Sequence, residues 1–164
     1  MRTQSPYRSL PVERRLALVM FAIKTSKEAR AAYIQRMVAR GGGFRAVTLQ
    51  SWSFDKLAKE VVRLGVENPS DELELLQLLY VDLEPGIQTT FLETAGVRHE
   101  KGRIPEDLEP PFADEAAVRR ATAAVKEQHG EDGMRYLRTL ARYYKESWPG
   151  IEVAVAEAET GAED

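Results

Sequence analysis

Two segments of the chain carry residues whose types and spacing could do chemistry. The first is Arg98-His99-Glu100-Lys101-Gly102-Arg103, inside the longer run from Phe91 to Pro111. An imidazole beside a carboxylate, with a guanidinium on each side, suits proton transfer or anion binding. The second is Arg40-Gly41-Gly42-Gly43-Phe44-Arg45. Its glycines let backbone N–H groups approach an anion, and the flanking arginines add charge.

Neither segment meets the demands of a known chemistry. His99 and His129 are the only histidines, and neither has a second histidine three or four residues on. A two-histidine, one-carboxylate metal centre would need tertiary assembly, so no metal and no cofactor is expected. No G-x-S-x-G is present. Ser9, Ser26, Ser51, Ser53 and Ser70 sit where helices should start, which makes them caps rather than nucleophiles. The glycine run follows a helix instead of preceding one and lacks a Gly-Lys-Ser/Thr ending, so it reads as a helix stop. The chain has no cysteine, which excludes disulfides, thiolate catalysis and cysteine-ligated zinc. No catalytic residue is assigned, and the balance favours a non-catalytic protein.

Charge is more informative. The net charge is −3. Residues 1–65 hold thirteen Lys and Arg against four Asp and Glu, and the remainder holds ten against twenty-two. Such an asymmetry suggests either mutual neutralisation or a basic face kept for an anionic partner. Arg36 and Arg40 share a helix edge, Lys27 and Arg30 are three apart, and Arg45, Lys56 and Lys59 can extend the patch. A helix-turn-helix over Asp55–Val66 is disfavoured, because Asp71, Glu72 and Glu74 open the next helix and would meet phosphate. Among aromatics, Trp52, Tyr136, Tyr143, Tyr144 and Trp148 are candidates for partner contact. The candidate binding residues are therefore Arg36, Arg40, Arg45, Arg98, His99, Glu100, Arg103, Tyr136, Tyr143 and Trp148.

The elements that must position these residues read as helices. With 164 residues, 43% hydrophobic and 30% charged, the chain fits one ordinary domain. Residues 1–158 are assigned to it and 159–164 to a frayed acidic tail. Ser9 caps a first helix through Leu16, Val19, Met20 and Ile23. Thr25 and Glu28 can form a capping box for the second, with Ser26 competing. Phe44–Gln50 is β-prone and is expected as an extended connector. Ser51 or Ser53 caps the next helix, Gly65 ends it, and Ser70 caps a leucine-rich helix. That helix, residues 71–84, is apolar nearly all round and is expected at the centre of the core. Gly96 ends a shorter helix. Val97–Glu100 and Lys101–Ile104 can close into a tight hairpin, and Pro105, Pro110 and Pro111 stiffen the chain beyond it. Asp114 caps an alanine-faced helix that Gly130 ends.

The fold expectation is all-α: an irregular bundle of about seven short helices. The functional expectation is a cytoplasmic protein acting through protein–protein interaction or self-assembly, with a homo-oligomer in view. The alternative is nucleic-acid binding through Lys27, Arg30, Arg36 and Arg40, and the second alternative is an enzyme with a dispersed site. No apolar run is long enough for a membrane span.

Overall fold

The structure, a computed structural model, describes residues 4–40, 43–66 and 68–161. Among them every regular element is helical. The order is α1 (Val12–Thr25), α2 (Lys27–Ala39), α3 (Ala46–Ser51), α4 (Phe54–Leu64), α5 (Pro69–Gln77), a π-helical turn (Leu78–Leu83), α6 (Gly86–Ala95), α7 (Glu115–Tyr143) and α8 (Ile151–Thr160). The all-α expectation holds. The chain divides into two compact units, one spanning Leu10–Leu78 and the other combining Met1–Ser9 with Leu79–Asp164.

In the Leu10–Leu78 unit, α1 packs chiefly on α4 and also meets α2 and α5. Its buried stripe is Leu18, Val19, Ala22 and Ile23. Leu16 and Met20, expected inside, are only half-buried. The helix starts later than expected. Ser9 closes a preceding turn, its hydroxyl donating to the Pro6 carbonyl at 2.7 Å, and Pro11 takes the cap position with an extended backbone. Ser26 wins the competition at α2: its hydroxyl accepts from the Ala29 N–H at 3.1 Å. Thr25 is unavailable because it still belongs to α1, where it donates to the Phe21 carbonyl.

Phe44–Gln50 is not extended. It contributes most of α3, anchored in the core by Leu49 alone. A lone strand would leave its backbone unpaired, whereas one helical turn pairs it internally, starting with the Leu49 N–H on the Arg45 carbonyl at 3.1 Å. Ser53 caps α4 and Gly65 closes it at φ +78°. Asn68, not Ser70, caps α5, accepting from the Ser70 N–H at 2.8 Å, and Pro69 fills the first helical position, where a missing N–H costs nothing.

The leucine-rich stretch is helical and buries Leu75, Leu76, Leu79 and Tyr80. It changes pitch after Gln77. The Glu84 N–H reaches back five residues to the Leu79 carbonyl at 2.7 Å, the mark of a π turn. Leu83 ends up exposed. The division between the two units falls inside this stretch.

In the other unit α7 packs against both α6 and α8. It is two helices in one, bent at Gly130 (φ +56°, ψ −132°). One turn later Gly133 sits so close to the preceding helix that a Cβ would lie 2.6 Å from the Val125 carbonyl oxygen. Asp114 caps α7 as expected, accepting from the Ala117 N–H at 2.8 Å. Of the expected acidic tail, Glu159 and Thr160 lie in α8, and Glu159 accepts from Arg138 at 2.7 Å. Residues 162–164 of that tail lie outside the described residues.

Candidate interaction face and pocket

The cations of α2 do not form one patch. At about 100° per residue, Lys27 lies opposite Arg36, and Arg30 is turned about 120° from Arg36 and about 80° from Arg40. The structure follows that arithmetic. Arg30 donates to the Gln50 carbonyl of α3 at 2.8 Å and stacks 4.9 Å over the Phe54 ring at the start of α4. Arg40 donates to the Leu64 carbonyl at the end of α4, at 3.1 Å. Lys27 is exposed. Two separate sites result.

The first site surrounds α3. With Leu49 alone as its anchor, this helix leaves Val47 78% exposed. Phe44 meets Trp52 edge-on at 5.4 Å, Lys56 lies 4.3 Å over the Trp52 ring, and Phe54 is exposed beside Arg30. Arg45 stands exposed at the head of α3. Apolar side chains, aromatic rings and cations thus share one exposed stretch. The expectation for 44–50 as a connector missed Val47 and Phe44, although Trp52, Arg45 and Lys56 were each candidates for contact. The signal was present, because Phe44–Phe54 holds four large apolar residues besides Leu49 and one short helix can bury few of them.

The second site is a recess of about 290 Å³ at the C-terminal ends of α2 and α4. Tyr33, Met37, Val61 and Leu64 give it an apolar lining, and Arg36 and Arg40 stand in its wall. Asp71, in the first turn of α5, also lines it and pairs with Arg36 at 2.8 Å. Arg36 further lies 5.5 Å from the Tyr33 ring centre. The sequence pointed to both arginines; the aspartate that meets one of them was read only as a first-turn helix acid.

Elsewhere in the Leu10–Leu78 unit, Lys59 holds Asp55 at 2.8 Å and Arg63 holds Glu60. That hydrogen bond keeps the Glu60 carboxyl below its ordinary range. The unit spans Asp71, Glu72 and Glu74 as well as the N-terminal cations, so its net charge is only +3, against −6 for the rest of the chain.

The segment from Arg98 to Arg103 is a hairpin of minimal size. Glu100 and Arg103 exchange both backbone hydrogen bonds, at 2.9 and 3.0 Å, across Lys101 (φ +51°) and Gly102 (φ +84°). Positive φ at both central residues is the tight turn that suits a two-residue hairpin. His99 serves this turn. Its Nδ1 accepts from the Gly102 N–H at 3.0 Å, which puts the ring proton of the neutral form on Nε2, 3.7 Å from Glu93. Gln88 of α6 donates to the Gly102 carbonyl. Arg98 pairs with Asp107 and holds that carboxyl below its usual range. Arg103 pairs with Asp82. The polar groups that looked available for chemistry fasten the loop to its own unit.

Tyr136 and Trp148 are 2% and 4% exposed, so neither ring is offered to a partner. Edge-on packing links Tyr80 to Tyr136 at 5.0 Å, Tyr136 to Phe91 at 5.9 Å and Phe91 to Trp148 at 4.9 Å. Burial pushes the Tyr136 hydroxyl far above its ordinary pKa. Tyr143 is half-exposed under Arg142 at 5.5 Å. His129 pairs with Thr90 at 2.9 Å. Among the described residues no group of three His, Asp or Glu side chains is placed to hold a metal ion, and no helix is long and apolar enough to cross a membrane. Of the Gly41–Gly43 loop, only Gly43 lies within the described residues. No protein-family model, curated protein or solved structure matches the chain.

Proposed function

We propose that this is a non-catalytic interaction protein whose Leu10–Leu78 unit docks an acidic protein surface through the face around α3. The observation that carries the reading is the company Val47 keeps. A largely exposed valine shares its stretch with Trp52, Phe54 and the cations Arg30, Arg45 and Lys56. Interface centres are enriched in aromatic rings and arginine, and cations at the rim select an acidic partner. A second copy of this chain is the nearest such partner, since residues 79–164 carry an acidic excess.

Nucleic-acid binding is the second reading. It is favoured by the Lys56–Trp52 stack, since rings beside cations also bind single strands. The pairing of Arg36, Lys59 and Arg63 with carboxylates weighs against it, because each neighbouring carboxylate offsets part of the positive field that a phosphate backbone would meet.

Light scattering at low and high salt, with and without a short mixed-sequence DNA, separates the readings. A defined oligomer that ignores DNA supports self-assembly. A monomer that shifts only with DNA, with an affinity falling steeply as salt rises, overturns it.

A further inference from the structure

We propose that the recess at the ends of α2 and α4 binds a small amphipathic carboxylate. The carboxylate sits on Arg36, where Asp71 now sits, and the hydrocarbon chain lies on Met37, Val61 and Leu64. This goes beyond the docking face around α3 and shares none of the residues assigned to it.

Three observations lead there. The first is chemical polarity. The recess combines an apolar lining with guanidinium groups in its wall, which matches a molecule with one anionic end and one oily end. The second is size. At about 290 Å³ the recess stands at the lower limit for small-molecule sites, which suits a short chain.

The third is the present occupant of Arg36. The closest contact between the Arg36 guanidinium and the Asp71 carboxylate is 2.8 Å. A guanidinium fork can take both oxygens of a carboxylate, so Arg36 suits an incoming carboxylate as it suits Asp71. The Arg36 side chain is 45% exposed against 15% for Asp71, so the guanidinium keeps an open side. An incoming carboxylate competes with Asp71 there, and its hydrocarbon chain adds apolar contact that Asp71 does not have. Asp71 acts as an internal stand-in, holding Arg36 in place until a ligand arrives. The N-terminal end of α5, whose Asn68 and Asp71 line the recess, adds a positive helix end. Arg40 sets the width of the recess by fastening the end of α2 to the Leu64 carbonyl.

The test is a titration of the full chain, followed through the Met37, Val61 and Leu64 methyl resonances, with octanoate, octanol and acetate as probes. Octanoate is expected to shift these methyls saturably with a Kd of about 1 mM. Octanol and acetate, each lacking one half of the match, should bind at least about tenfold more weakly. Arg36→Gln should weaken octanoate about tenfold. Asp71→Asn should tighten it severalfold, because the competitor loses its charge. Ala39→Trp, at an exposed position on the recess wall, should block binding while the helical circular dichroism stays unchanged. Equal binding of octanol and octanoate, indifference to Arg36→Gln, or weaker binding by folded Asp71→Asn would each overturn the proposal.

Discussion

The two units use the same class of residue in opposite ways. In Leu79–Asp164 the rings of Tyr80, Phe91, Tyr136 and Trp148 pack edge-on against one another, buried. In Leu10–Leu78 the deep core is largely aliphatic, with Leu18, Val19, Leu49, Leu57 and Ala58 fully buried. There Phe44 and Trp52 are half-buried and Phe54 is exposed, all three in the company of cations. An aromatic ring brings a large apolar area and a π face. One unit spends both on cohesion, while the other leaves both available. This contrast is why we look for function in the basic unit and for stability in the acidic one.

The most severe way to probe the contrast is to remove one tryptophan from each unit. Trp148→Ala should cost about 3–5 kcal/mol of stability, seen as a lower denaturant midpoint. Trp52→Ala, which opens no deep cavity, should cost no more than about 1 kcal/mol. Equal costs would dissolve the distinction between the units.

Next in size is Gly133→Ala. Its Cβ would meet the Val125 carbonyl oxygen at 2.6 Å and the Val125 side chain at 2.9 Å, and backbone cannot step aside as a flexible side chain does. A loss of about 2–3 kcal/mol is expected. Urea unfolding of this variant measures it.

The buried phenol sharpens the comparison through pH. Desolvation raises the folded-state pKa of Tyr136 above its ordinary value near 10.0, so the folded state keeps the proton that the unfolded state releases. The stabilisation is complete below the unfolded pKa and is lost as pH rises above it, toward the folded pKa. Stability should then fall by about 1.4 kcal/mol per pH unit from this group. Tyr136→Phe should flatten the alkaline limb of a denaturation series relative to the parent chain.

Smallest in stability is Val47→Asp, expected within about 0.5 kcal/mol. Its effect should appear in association, where a carboxylate replaces the exposed methyls among the cations.

Much of this architecture was legible in the residues. Asp114, Ser53, Gly65 and Gly96 mark helix ends by side-chain and backbone chemistry that acts within a few residues, and the structure uses each of them so. A tight turn at Gly102 was legible for the same local reason, although Lys101, expected in the returning arm, belongs to the turn itself. Misplacements arose where two neighbours could do one job. Thr25 and Ser26 compete for one cap, as do Asn68 and Ser70, and each choice depends on where the preceding backbone ends. Phe44–Gln50 misled because β-branched residues suggest a strand, yet no partner strand exists among the described residues. The sites were less legible than the elements. Arg36 and Arg40 stood out as a pair, but Asp71 meets Arg36 only through tertiary folding. Conversely, the charges of Arg98, Arg103 and His99 looked functional because the sequence does not show Asp107, Asp82 and the Gly102 N–H waiting for them.

The central claim is that the exposed stretch around α3 mediates association. Sedimentation equilibrium of the parent chain beside Val47→Asp and Trp52→Ala tests it most directly. The account predicts a parent oligomer that weakens with salt, variants that remain folded, and a dissociation constant raised at least about tenfold in each. A parent chain that stays monomeric at every concentration and salt, or variants that assemble as the parent does, would contradict it.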